Sequence, residues 1–100
     1  MKKSFNTPNP ETRVKTRVKT RVKVCGLRTP EDIEVAERAG ADAVGFITEV
    51  PVESPRKLDA GTAASLVAKV PRCLDSVMVI MPENAEQALD LIEKVRPDIV

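Results

Sequence analysis

The chain has 100 residues, 42% hydrophobic and 31% charged, with Phe5 and Phe46 as its two aromatics and no Trp, Tyr or His. That length suits one domain, and that apolar content excludes a wholly disordered chain, leaving a core to be built from Val, Ile, Leu and Ala. The absence of His excludes every His-based triad, acid–base pair and metal site. Cys25 and Cys73, 48 residues apart, fit neither a zinc cluster nor a disulfide framework. No apolar run approaches the ~20 residues of a membrane span, and no apolar stretch follows the basic N-terminus as a secretory signal requires. The expected setting is cytoplasmic and thiol-reducing, with no metal and no membrane.

A formal net charge of +1 hides an asymmetry: residues 1–23 carry eight Lys/Arg against Glu11 alone, and residues 24–100 carry eight against fourteen acidic residues. Residues 1–20 therefore read as a basic N-terminal extension, and 21–100 as the folded part. Asn6-Thr7-Pro8-Asn9-Pro10 cannot build regular structure, because proline fixes φ and removes a donor. Thr-Arg-Val-Lys then occurs at 12–15, 16–19 and 20–23. Read with period two, Thr and Val share one face and Arg and Lys the other, which is a possible strand. Clustered Lys/Arg attracts phosphate, but no aromatic interleaves the basic residues for base stacking. A solvated arm is the simpler reading, and nucleic-acid binding is the lesser alternative.

Strands and helices then alternate. Val22–Cys25 is a β-branched run closed by Gly26. Thr29-Pro30-Glu31-Asp32 starts a helix: Thr29 caps it, Pro30 suits its first position, and two carboxylates meet its positive end. Ile33, Ala36 and Gly40 share a face, and Gly40 ends the helix. Ala43–Ile47 is apolar throughout, as a parallel strand buried on both faces should be. A polar loop spans 48–57. Asp59 caps a helix predicted over 60–69, with Ala63, Leu66, Val67 and Val70 inward and Pro71 as its stop. Val77–Met81 is the third predicted strand. Asn84 and Gln87 are spaced for a capping box. Ala85, Ala88, Leu89, Ile92 and Val95 form the apolar stripe of a third helix, ended by Pro97. Asp98-Ile99-Val100 begins a fourth strand.

This is βαβαβαβ, an α/β pattern that implies parallel strands and right-handed crossovers. No G-x-G-x-x-G follows the first strand, so the dinucleotide-binding open sheet loses its support and a partial (β/α)8 barrel is preferred. A complete barrel takes ~250 residues. Active sites in such folds gather at the carboxyl ends of the strands. Cys25 is placed there, ahead of a helix N-terminus and near Lys23 and Arg28, where a thiolate could serve as base or nucleophile. An ordinary packed cysteine is the alternative. Arg56, stiffened by Pro55, could hold a carboxylate or phosphate with its fork, or be solvated. Cys73 falls at the opposite end and reads as packing; Glu31 and Asp32 read as helix-start residues.

Val22-Lys23-Val24-Cys25-Gly26-Leu27, Thr29-Pro30-Glu31-Asp32, the run from Ala39 to Phe46 and Ser54-Pro55-Arg56, in this order and spacing, resemble phosphoribosylanthranilate isomerase. The resemblance covers about 21–100 and implies the amino-terminal part of a (β/α)8 TIM barrel. It also implies a cofactor-free Amadori rearrangement of N-(5-phosphoribosyl)anthranilate, a phosphosugar-anthranilate, in tryptophan biosynthesis. By the same resemblance Cys25 is the general base, Arg56 binds the anthranilate carboxylate, and Lys23 supports substrate binding. The family's general-acid aspartate and phosphate-binding loops come from later strands, so these hundred residues alone are expected to be inactive. The basic repeat has no counterpart in the family pattern. A non-catalytic half-barrel that associates through bare sheet edges remains an alternative.

Overall fold

The computed structural model describes residues 19–100. The first two Thr-Arg-Val-Lys copies, except Lys19, and the Pro-containing arm before them lie outside the described residues. The elements are β1 (Lys23–Cys25), α1 (Pro30–Arg38), β2 (Ala43–Ile47), α2 (Ala60–Val67), β3 (Asp75–Val79) and α3 (Ala85–Val95).

The strands pair in parallel in the order β1-β2-β3. An isolated parallel bridge joins Val77 to Ile99 on the far side of β3. The expected fourth strand thus begins in place, as a bridge. Strand order follows chain order without reversal. Right-handed crossovers that all step the same way put every helix on one face of the sheet, the layout of a barrel wall and not of a doubly wound sheet.

Packing agrees. Val44, Phe46 and Met78, alternate residues of β2 and β3, share one core cluster with Ile33 and Ala36 of α1, Ala60, Ala63 and Leu66 of α2, and Val95 of α3. Burying each large apolar side chain contributes about 1.5–3 kcal/mol, against about 0–1 kcal/mol for an exposed ion pair. The core on the helix side therefore holds the unit together. The opposite face carries the registered rows Lys23–Ala43–Asp75 and Cys25–Gly45–Val77.

Local rules account for most ends. Thr29 Oγ1 accepts from the Asp32 N–H at 3.1 Å, and Asp32 accepts in return from the Thr29 N–H at 3.3 Å, a complete capping box. Asp59 and Asn84 cap α2 and α3 by accepting from the Thr62 and Gln87 N–H groups. The Gln87 side chain, however, accepts from the N–H of Glu83, one residue before the cap, at 2.6 Å.

Other expectations shift. β3 starts two residues before Val77, because the Asp75 N–H reaches Asp42 O and the buried Ser76 finds a partner in Asp98. α2 stops at Val67, short of the predicted 69. On α3, Leu89 is 64% exposed, and Leu91 instead packs on the core beside Ile92. Cys73 is exposed, and its thiol faces Glu37 Oε2 at 3.8 Å. Leu74 takes the buried position that a packed Cys73 would have held.

The register of the chain after α3 is set by a reciprocal pair. Asp98 Oδ2 accepts from the Ser76 N–H and hydroxyl at 2.8 and 3.0 Å, and the Asp98 N–H donates to Ser76 Oγ at 2.9 Å. The Ile99 N–H then donates to Ser76 O, and the Met78 N–H to Ile99 O. A polar side chain on the helix face of β3 is thereby fully used.

Candidate active site

Cys25 ends β1 and is exposed. The chain turns sharply after it, through Gly26 at φ +87°, and the Gly26 and Leu27 N–H groups both donate to Gly45 O. Gly45 sits beside Cys25 in the sheet, and a Cβ there would meet Cys25 Sγ at 2.9 Å. Glycine within an otherwise Val-Phe-Ile strand is thus the space that admits the thiol.

The loop 48–57 is pinched shut at its base by the bridge between Thr48 and Leu58 and by the Glu49 N–H donating to Leu58 O. Glu49 holds φ +53°, and its carboxylate accepts from the Ala60 N–H at 2.8 Å, at the start of α2. From this base the loop leans over β1. Arg56 lays its aliphatic stem on Gly26, where a Cβ would come within 2.7 Å of its Cδ. Its guanidinium donates to Gly26 O at 3.2 Å. Gly26 is therefore required twice, for its positive φ and for the contact with Arg56. Arg28 crosses the other way and donates to Pro55 O at 2.9 Å.

Cys25 and Arg56 line one open depression of about 370 Å³ with Val24, Gly26, Leu27, Asp32, Val35 and Ala36. It runs along the edge of β1 that is unpaired among the described residues. Of the three site residues expected from the sequence, two are brought together. Lys23 shares the Cys25 face of β1 but lies toward its amino end and does not line the depression. Among the described residues no cation is hydrogen-bonded to Cys25 Sγ, and Arg28, expected near the thiol, is engaged with Pro55.

The carboxylate in the depression is spent on backbone. Asp32 is held below the ordinary carboxylate range chiefly by the Arg28 N–H at 3.0 Å, and further by Thr29. At the amino end of the sheet, Lys19 pairs with Asp42 at 2.9 Å and Arg21 with Asp75 at 2.7 Å. Asp42 also accepts from the Val22 N–H at 2.7 Å. The Lys19 ammonium first, and Val22 next, lower the Asp42 pKa. Lys19 of the arm and Arg21 just after it are thus paired within the chain. Sequence reasoning missed Gly45, whose signal was a glycine inside a strand. It also missed the part played by Arg28, for which there was no signal before the two loops were seen to meet. Among the described residues no group of three or more metal-binding side chains occurs, and no helix is long and apolar enough to cross a membrane.

No family model matches the chain. It is similar to N-(5'-phosphoribosyl)anthranilate isomerase 1 of Methanosarcina mazei, 74% identical over 78% of this chain and 33% of that one. The N-(5'-phosphoribosyl)anthranilate isomerase of Methanosarcina acetivorans is 73% identical over 91% of this chain and 37% of its own. The chain thus spans about a third of the length of the curated relatives it matches. The match extends over 91 residues with the second of these relatives and over 78 with the first. Among solved structures, phosphoribosyl anthranilate isomerase from Thermotoga maritima superposes with a TM-score of 0.72 at 32% identity, over 81% of this chain and 39% of that one. A phosphoribosyl anthranilate isomerase in complex with reduced 1-(o-carboxyphenylamino)-1-deoxyribulose 5-phosphate gives the same score and identity, over 81% and 41%.

Proposed function

We propose that the chain is the counterpart of the amino-terminal part of phosphoribosylanthranilate isomerase and supplies the base and the carboxylate clamp of that isomerase. The reaction is the Amadori rearrangement of N-(5-phosphoribosyl)anthranilate, in the cytoplasm, as a step of tryptophan biosynthesis. The observation that carries this reading is the seating of Arg56 on Gly26, immediately after Cys25, so that thiol and guanidinium line one depression.

Each group suits its task. An aldose–ketose rearrangement moves a proton from C2 of the opened sugar, and a thiolate is a competent base for it. Arg56 spends one donor on Gly26 O and keeps others in its fork for a carboxylate. A ligand such as the one in the related complex carries an aromatic carboxylate at one end and a phosphate at the other. Lys23 gives positive charge on the same face without touching the depression. No cofactor is part of the proposal. The general acid and the phosphate site belong to strands that these hundred residues do not include, so residues 1–100 by themselves are expected to turn over no substrate.

The test is complementation. Residues 1–100 are mixed with a separately expressed polypeptide carrying the remaining strands of a relative, and substrate loss is followed. Activity should appear only in the mixture, and Cys25→Ser should reduce it by roughly 10²–10⁴-fold, the usual contribution of a positioned base. A fully active Cys25→Ser mixture would sink the assignment of the base, and turnover by residues 1–100 alone would overturn the expected inactivity.

A second reading, association with another chain, is favoured by exposed apolar residues around the first strand and helix and around the last helix and bridge. Val22, Val24 and Val35 are 53, 39 and 57% exposed, and Leu89, Ile99 and Val100 are 64, 42 and 56% exposed. Concentration-dependent elution on gel filtration is expected, and a monomer at all concentrations removes this reading.

A further inference from the structure

Two bonds tie residues 54–57 to the first loop, and they cross. One is the Arg56 guanidinium on Gly26 O, at 3.2 Å; the other is the Arg28 guanidinium on Pro55 O, at 2.9 Å. The remaining bonds of the segment are internal: the Arg56 N–H on Ser54 Oγ, and the Lys57 N–H on Ser54 O. The acceptor of Arg28 is the carbonyl of the residue before Arg56, so it belongs to the peptide plane from which Arg56 projects.

Arg28 is itself anchored. Its N–H donates to Asp32 Oδ2, the same carboxylate that closes the capping box with Thr29 at the start of α1. A continuous set of bonds thus runs from the α1 N-terminus through Asp32 and Arg28 to the backbone carrying Arg56. A loop tip held otherwise by its own short turn and by the Arg56 side chain on Gly26 O gains a tie on its backbone, close to Cys25.

We propose that Arg28 is a positioning residue that sets the Arg56 guanidinium for an aromatic carboxylate, through its bond to Pro55 O. The link to substrate rests on the reading of Arg56 given above; the link between the two arginines does not.

Two measurements separate these. Without substrate, trypsin cleavage of the 56–57 bond in the hundred-residue chain is timed against cleavage after Lys69 and Arg72. Arg28→Gln should accelerate the first several-fold and leave the others unchanged; equal rates at 56–57 in wild type and variant would overturn the proposal. Should Arg28→Gln cleave rapidly everywhere, Arg28→Met, which keeps the aliphatic stem and loses only the donors, replaces it. In the complemented isomerase, Arg28→Gln should raise KM roughly 2–10-fold, the scale of one hydrogen bond, with a smaller change in kcat. The same substitution in an Arg56→Gln background should add nothing further, since residues acting through one another are non-additive. An equal rise in both backgrounds overturns the positioning role. If Arg56→Gln leaves KM unchanged, the carboxylate clamp fails as a reading, and the cleavage rates still decide whether Arg28 holds the loop.

Discussion

The two ends of the sheet use the same basic residue types in opposite ways. At the amino end Lys19 and Arg21 meet carboxylates, Asp42 and Asp75, and their charge is cancelled. At the carboxyl end Arg28 and Arg56 meet backbone carbonyls, Pro55 O and Gly26 O, which accept hydrogen bonds without neutralising the cations. Neither has a carboxylate within 4 Å among the described residues, and Asp32 nearby is committed to N–H groups. One end has its cations paired, and the other keeps two guanidinium groups without a carboxylate partner among the described residues. Among the described residues, ion pairs thus mark the amino end of the sheet and carbonyl-bound arginines its carboxyl end.

Substitutions should break this contrast unevenly. The largest effect is expected of Cys25→Ser, which removes the proposed base and should lower turnover of the complemented enzyme most. Next comes Gly45→Val, whose side chain must displace Cys25 Sγ from 2.9 Å; overpacking of this kind costs about 1–3 kcal/mol, and both melting temperature and turnover should fall. Gly26→Ala follows. A non-glycine residue at φ +87° costs about 1–2 kcal/mol, and the methyl group also pushes on Arg56. The melting temperature should drop by roughly 4–8 °C per kcal/mol in a domain of this size, with a rise in KM. If Gly26→Ala melts early but binds normally, Arg56 does not need its seat on Gly26. Ser76→Ala should cost about 1 kcal/mol, read by chemical denaturation, because Asp98 loses two hydrogen-bond partners at one hydroxyl. The smallest effect belongs to the amino end: Asp75→Asn should change stability by about 0.2–1 kcal/mol and leave turnover untouched. A large loss of turnover there would erase the distinction between the ends.

Acid should sharpen it further. Asp42 is depressed by Lys19 and Val22, Asp32 by the Arg28 N–H, and Asp59 by the Thr62 N–H. A carboxylate with a folded pKa below its unfolded value adds stability that is fully present above the unfolded value, about 3.9 for Asp. That stability is lost as pH falls through the folded value. Melting temperature should hold above about pH 5 and decline below pH 4, and Asp42→Asn should flatten the decline. An unchanged slope in that variant would show that the pair with Lys19 contributes nothing.

Much of the fold was legible because it is written locally. Thr29, Asp59 and Asn84 each cap the helix that their residue type announces, and the unbroken apolar run from Ala43 marks the buried strand. The start of β3 was not legible, since Asp75 and Ser76 read as loop until Asp42 and Asp98 supply partners from elsewhere in the chain. Leu89 and Cys73 failed for a related reason. Apolar character predicts burial only on average, and the helical stripe here runs one step around, through Leu91. At the site, Cys25 and Arg56 were visible as residues, but their meeting was not. It depends on two glycines, 26 and 45, whose function is the room they leave.

The strand order carries a consequence for how the chain reaches this state. Because β1, β2 and β3 lie side by side in the order of synthesis, each new strand docks on the edge made just before it, and no insertion between completed strands is required. The helices follow suit, with α2 against α3. Such nearest-neighbour growth keeps loop closures short, which favours rapid folding, and it lets the unit assemble vectorially as it leaves the ribosome. The reciprocal pairing of Ser76 with Asp98 then acts as a ratchet tooth. It fixes where the next strand begins before that strand has any backbone partner beyond Ile99.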